Sequence, residues 1–267
     1  MSVAKSIAVF GGLGFLGRKI CEVGIQRGYD VTAFSRSGEP PQAAIHQPWI
    51  KEVNWEKGNI FEPLTYTHSL SSFGTVVHSI GILFENSSYK KTMNSNFNFL
   101  NDIQNLASLL KGPNPMAKDD HNTYEAIQRD SAVLLADNFI EHQKQDPVFV
   151  YISADSQFPI VPLEYLTTKR EAEFELSCKK GLRSILMRPG FMYDPSHEGQ
   201  DNRDILARLL KLGYSTKEVI VGDKISFLNK LVRPPVTTEQ VASKIFEKIE
   251  NPDFSGVVSL DEIAGRR

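Results

Sequence analysis

The sequence predicts an α/β fold, a doubly wound parallel sheet carrying a small C-terminal lobe, from three observations. Short apolar or β-branched runs alternate with longer helical stretches, a glycine-rich turn follows the first run, and the chain beyond residue 190 reads mainly as helices.

The runs are SIAVF near residue 6, DVTAFS near 30, KEVNW near 51, TVVHSI near 75, PVFVYIS near 147 and RSILMR near 183. Strands separated by helices pair in parallel, and their crossovers cover both faces of the sheet. Residues 1–190 are therefore expected to form the sheet domain and residues 191–267 a smaller substrate or partner lobe, within one structural unit. In the lobe, ILARLLKLG, ISFLNKLV and TTEQVASKIFEKIE look like helices lying beyond the main sheet.

With 267 residues, 41% of them hydrophobic, the chain can bury one large core. Thirty basic residues oppose 32 acidic ones for a formal charge of −2, which sets nucleic acid aside as the main partner. No run of 18 apolar residues occurs, so no membrane-spanning helix is expected, although attachment to a membrane surface stays open. Cys21 and Cys178 have no metal-ligand spacing; they read as packing residues of a reducing compartment, with no metal site. An apolar strand running straight into the glycine turn leaves no clear cleavable targeting peptide. Lys5, Arg18 and Lys19 precede the first acid, Glu22, a pattern compatible with an uncleaved import signal.

That turn, VFGGLGFLGRKI, spaces Gly11, Gly14 and Gly17 three apart between a strand and a helix. Glycine lets the backbone turn sharply and approach a pyrophosphate, whose charge suits the amides opening the helix, those of Phe15 and Leu16 among them. A Rossmann-type dinucleotide site follows from that context. At the far end of strand two, FSRSG offers Ser35, Arg36 and Ser37, a guanidinium flanked by hydroxyls, while Asp30 lies at the wrong end of the strand. Those groups suit the 2′-phosphate of NADP(H) rather than the bare ribose of NAD. Asn59 is placed to meet the adenine edge, and Ile80 and Gly81, ending strand four, to pass beside the cofactor. His78 reads as a core histidine rather than a catalyst.

In EYLTTKREAE, Tyr165 and Lys169 share one helix face, so an ammonium lies near a phenol and favours its ionised form. Ser153, ending strand five, stands where parallel sheets bind ligands, with a hydroxyl able to polarise a carbonyl. Taken alone, Tyr-x-x-x-Lys is a common accident.

The connection 82–123 is far longer than the usual range of about 2 to 6 residues. Within it Met93, Phe97, Leu100, Ile103, Leu106 and Leu110 fall at helical spacing, as a lid on the host domain or a docking face for a protein or membrane. Lys211, Lys230 and Arg233 lie among apolar residues, as in core helices with basic edges or in a surface for a greasy tail or anionic lipid.

The order of glycine turn, strand-end serine, Tyr-x-x-x-Lys and MRPG resembles the extended, atypical short-chain dehydrogenase/reductase superfamily across nearly the whole chain. The resemblance implies Ser153, Tyr165 and Lys169 as catalytic residues, Lys169 also as a cofactor ligand, and Pro189 and Gly190 as the loop beside the nicotinamide. VVHSIGILFEN, GPNP, YISADSQFP, KREAE, RPGFM and IENPDFSGVV look like the fungal mitochondrial branch associated with the ubiquinone (coenzyme Q) synthesis complex. That branch is itself similar to the NADPH-binding accessory subunit of respiratory complex I. The resemblance implies the matrix side of the inner membrane, partners in a coenzyme Q synthesis complex, and a polyprenylated quinone precursor or lipid as substrate. The superfamily's usual asparagine before strand five is replaced by Gln128, which puts its water-linked proton relay in question.

Overall fold

The structure, a computed structural model, describes residues 5–82, 123–143, 147–156, 162–195 and 233–266. The chain begins β1 (Ser6–Phe10), α1 (Phe15–Gln26), β2 (Asp30–Ser35), β3 (Asn54–Lys57), α2 (Thr67–Leu70) and β4 (Thr75–His78). It continues α3 (Ser131–His142), β5 (Val148–Ile152), α4 (Leu163–Cys178), β6 (Arg183–Met187) and the short pair β7 (Met192–Tyr193) and β8 (Val236–Thr237). Then come α5 (Thr238–Glu250), β9 (Gly256–Val258) and α6 (Leu260–Ile263).

Seven of these strands form one parallel sheet in the order β3-β2-β1-β4-β5-β6-β9. The order reverses at β1, which pairs with β2 on one side and β4 on the other. Connections leave the adjacent strands β1 and β4 in opposite directions and open a crevice at their carboxyl ends. Register keeps these ends level: Phe10 stands opposite Phe34 and His78, and His78 opposite Tyr151.

Alternation along the strands sorts the core into two layers. Ile7, Val9, Val150 and Ile152 face Leu16 and Ile20 of α1 and Val241, Ile245 and Phe246 of α5. Ala8, Phe10, Phe149 and Tyr151 face Leu135 and Phe139 of α3 and Leu176 of α4. Each large apolar side chain so buried contributes about 1.5–3 kcal/mol relative to exposure. Gly24 lets α1 settle closely, since a Cβ there would stand 2.8 Å from Val31 Cγ2 and 3.1 Å from Phe246 Cζ.

The C-terminal part departs from expectation. TTEQVASKIFEKIE does not lie beyond the main sheet; as α5 it covers one face beside α1, with Val241, Ala242, Ile245 and Phe246 forming the buried stripe. Thr237 and Gln240 close its start with a reciprocal capping box. The run GVV then joins the sheet as β9 against β6. Cys21 is buried, and burial pushes its thiol up to about 12, whereas Cys178, at the end of α4, is exposed and packs no core. The helix expected over Met93–Leu110 and those at ILARLLKLG and ISFLNKLV, with Lys211 and Lys230, lie outside the described residues.

Candidate functional site

The glycine turn is built from close backbone approaches. Gly11 has φ +89°, and a Cβ on it would stand 2.8 Å from the Ser79 oxygen and 3.2 Å from Ile80 Cγ1. Gly14 donates its amide to the Gly11 oxygen at 2.8 Å. A Cβ on Gly17 would stand 2.1 Å from the same oxygen, so α1 can start where it does only with glycine there. Gly12, not singled out from the sequence, is also constrained, since a Cβ on it would stand 2.7 Å from Ala33 Cβ; the GG pair was the available signal. Gly14 is the N-cap of α1, and among the described residues no side chain caps it, an arrangement suited to a ligand anion. The Leu16 side chain belongs to the core, which leaves its main chain for a ligand, and Phe15 is half-buried.

At the end of β2, Ser35 Oγ accepts from the Gly38 amide at 3.0 Å and lies 3.3 Å from Ser37 Oγ. Arg36 is exposed and makes no hydrogen bond or ion pair among the described residues. Asn59 is committed locally: its amide nitrogen donates to Glu62 Oε1 at 2.6 Å and its side-chain oxygen accepts from the Phe61 amide at 3.3 Å.

On the other side of the crevice, Lys169 is buried and its Nζ donates to the Ile152 main-chain oxygen at 2.7 Å. The same nitrogen lies 5.2 Å from the centre of the Tyr151 ring and 5.5 Å from that of Tyr165. A Cβ on Gly81 would be 3.8 Å from it, so the loop that follows β4 and the lysine meet. Burial drives the Lys169 pKa down to about 7; the Glu173 carboxylate opposes that fall and the Arg170 guanidinium adds to it. Tyr165 is half-buried, with its ring edge-on to Tyr124 at 6.0 Å.

Ser153 is buried just past β5. Its amide donates to the Met187 oxygen at 2.8 Å, and its Oγ accepts from Arg170 Nη1 at 3.0 Å. Sequence patterns gave no sign of the ionic cluster behind it. Glu173, buried, accepts from Arg170 Nη1 at 2.6 Å and from Arg188 through Nε, at 2.9 Å, and Nη2. Asp155 donates its amide to the Pro189 oxygen at 2.9 Å and takes a two-pronged contact from Arg233, at 2.7 and 2.9 Å. Arg233 is thus held by a carboxylate. Gly190 is held small by packing, since a Cβ there would stand 3.0 Å from Leu260 Cδ2.

Gln128 occupies a π-helical stretch, Glu125–Asp130, that runs directly into α3. Its Nε2 donates to the Ile82 oxygen at 3.2 Å, and its main-chain oxygen accepts from the Tyr151 hydroxyl at 2.8 Å. Its Oε1 is a buried acceptor without a partner among the described residues. His78 is buried in the core as expected, but it is not fully satisfied: its Nδ1 has no partner among the described residues. Ser131 Oγ gives its proton to the Ile127 oxygen, so it accepts from His78 Nε2 at 2.8 Å. Burial first, and the Lys169 charge second, lower the His78 pKa to about 3 and keep the ring neutral.

Residues 7–226 match the family described as NAD dependent epimerase/dehydratase. The chain is 40% identical over 271 residues to MIOREX complex component 2 of Saccharomyces cerevisiae, covering 96% of this chain and 98% of that one. The crystal structure of Bordetella bronchiseptica WbmF with NAD+ and UDP aligns at TM-score 0.57 and 16% identity, over 97% of this chain and 72% of that one. FolM alternative dihydrofolate reductase 1 of Brucella canis, complexed with NADP, aligns at TM-score 0.58 and 15% identity, over 96% and 92%. At such identities the structural likeness speaks for the fold.

Proposed function

The chain belongs to the NAD dependent epimerase/dehydratase family, and from that premise we propose that it is an NADP(H)-dependent oxidoreductase acting on a polyprenylated quinone precursor in ubiquinone synthesis. The observation that carries this reading is the meeting of Lys169 with Gly81 and the Tyr165 ring at the sheet's carboxyl ends, on the far side of the crevice from the glycine turn.

The residues fit a dinucleotide. Glycine at positions 11, 14 and 17 lets the turn close tightly, since Cβ atoms there would meet the Ser79 and Gly11 oxygens, and the amides of Phe15 and Leu16 suit the diphosphate. Ser35, Arg36 and Ser37 suit a 2′-phosphate, and Ile80, Gly81, Lys169, Pro189 and Gly190 the nicotinamide half. A bound nicotinamide supplies or accepts the hydride. In the reducing direction the Tyr165 hydroxyl gives its proton to the substrate oxygen, and in oxidation it takes one back. Lys169, titrating near neutrality, stabilises the phenolate and returns the proton, while the Ser153 hydroxyl holds the substrate oxygen.

The quinone substrate rests on the sequence resemblance, and membership of an assembly also on the similarity to MIOREX complex component 2. The same grounds support a mitochondrial protein, and the sequence resemblance alone a place peripheral to the inner membrane on its matrix side. Deuteride transfer from labelled NADPH to extracted quinone precursors tests the reading. Transfer by the parent, and its loss in Tyr165→Phe with NADPH binding retained, is the expected result; parent protein that transfers none overturns it.

A second reading, a non-catalytic NADPH-binding scaffold or regulatory subunit of the coenzyme Q synthesis complex, is favoured by Gln128 standing where the superfamily's asparagine would be, with its amide nitrogen turned to the Ile82 oxygen. Complementation of a deletion strain with Ser153, Tyr165 and Lys169 all replaced by alanine separates the two, full rescue supporting the scaffold.

A further inference from the structure

We infer that Arg170 is the positioning residue for Ser153, taking one lone pair of its hydroxyl and thereby committing the hydroxyl proton to the substrate side of the crevice. Its catalytic meaning rests on the oxidoreductase reading; the contact does not. A serine hydroxyl has one proton and two acceptor positions, whereas a guanidinium only donates. The 3.0 Å contact between Arg170 Nη1 and Ser153 Oγ therefore has one polarity, and it leaves the hydroxyl as a donor elsewhere.

The guanidinium is not free to swing away. Its Nη1 also donates to Glu173 Oε1 at 2.6 Å, and its Nη2 to the main-chain oxygens of Ala154 and Asp155 at 2.8 and 2.7 Å. Glu173 is gripped from its other side by Arg188, so the carboxylate cannot follow a rotated Arg170. Two arginines on one carboxylate leave net positive charge beside the serine, since Asp155 is paired with Arg233. A cation at hydrogen-bond distance polarises the hydroxyl and strengthens it as a donor to a carbonyl oxygen. The adjacent pair Lys169 and Arg170 thus reaches two consecutive residues, the last of β5 and the one after it, Lys169 holding the Ile152 oxygen and Arg170 the Ser153 hydroxyl.

A thiol at position 153 reads the contact without substrate or cofactor. Ser153→Cys in a Cys178→Ser background is titrated by thiolate absorbance; the remaining thiol, Cys21, stays protonated up to about 12. The same titration is run with Arg170→Gln and Arg170→Lys added. The thiol introduced by Ser153→Cys is expected to titrate lower by about one unit or more with Arg170 than with glutamine, lysine falling between. Equal values for arginine and glutamine in folded proteins overturn the inference, and the lysine variant serves the same comparison if the glutamine variant fails to fold. In the deuteride assay, Arg170→Gln is expected to slow transfer about 10- to 100-fold with Ser153 present and to add nothing in Ser153→Ala. Losses that multiply overturn the positioning role. A thiol shift in a parent protein that transfers no deuteride refutes the oxidoreductase reading and leaves the contact standing.

Discussion

Lys169 Nζ donates to the main-chain oxygen of Ile152 at 2.7 Å, which anchors a buried amine to the end of β5. Its pKa is 10.5 in the unfolded chain and about 7 in the fold, so between those values the unfolded chain binds more protons and stability rises with pH. The contribution is complete above 10.5 and is lost as pH falls to about 7. Relative to Lys169→Met, the parent is expected to gain on the order of a few kcal/mol across that window. Thermal unfolding of both proteins over the range checks it, and parallel curves count against it.

His78 gives a second window on the acid side. Its folded pKa of about 3 lies below the ordinary 6.5, so its stabilisation is present above 6.5 and lost as pH falls toward 3. His78→Gln is expected to be less stable at neutral pH, through lost packing, yet to lose less on acidification. Urea midpoints measured at successive pH values below 6.5 report the difference in slope.

Gly17→Ala sets a Cβ 2.1 Å from the Gly11 oxygen, and that contact is backbone, which cannot rotate aside. A loss of about 1–3 kcal/mol is expected, together with loss of NADPH binding. Gly14→Ala, at 3.0 Å from the same oxygen, should be milder on both counts. Fluorescence titration with NADPH and thermal melts compare the two.

Arg36 is exposed, with no carboxylate partner among the described residues. Arg36→Ala is expected to weaken NADPH binding about 10- to 100-fold, the value of a charge-assisted hydrogen bond, and to leave NADH untouched. Equal affinity of the parent for the two cofactors would sink the assignment.

Arg188→Met leaves the Glu173 side chain, 5% exposed, without one of its two arginines. Because Arg188 is itself 30% exposed, the expected cost is about 2–3 kcal/mol, below that of a fully buried pair. Denaturant unfolding measures it.

The frame of the fold was legible because buried parallel strands are continuous apolar runs and the glycine turn has a steric reason at Gly11 and Gly17. Ser153, Tyr165 and Lys169 were legible as residue types at strand ends and at helical spacing. β9 was not: three residues with Val257 partly exposed carry no periodic signal. Arg170 was hidden for a different reason. In a charge-rich helix an arginine looks solvated, and only the folded loop at 153–155 supplies its acceptors. Arg233 and Cys178 show the same limit from opposite sides, one taken up by Asp155 and the other left on the surface.

β6 pairs on its outer side with β9, Ile185 opposite Gly256 and Met187 opposite Val258, and Leu260 behind that strand packs on Gly190. During translation, β6 leaves the ribosome long before its neighbour exists. Its bare edge is then open to pairing with other nascent chains, which makes β6 a segment that a chaperone would shield until residues 256–260 arrive.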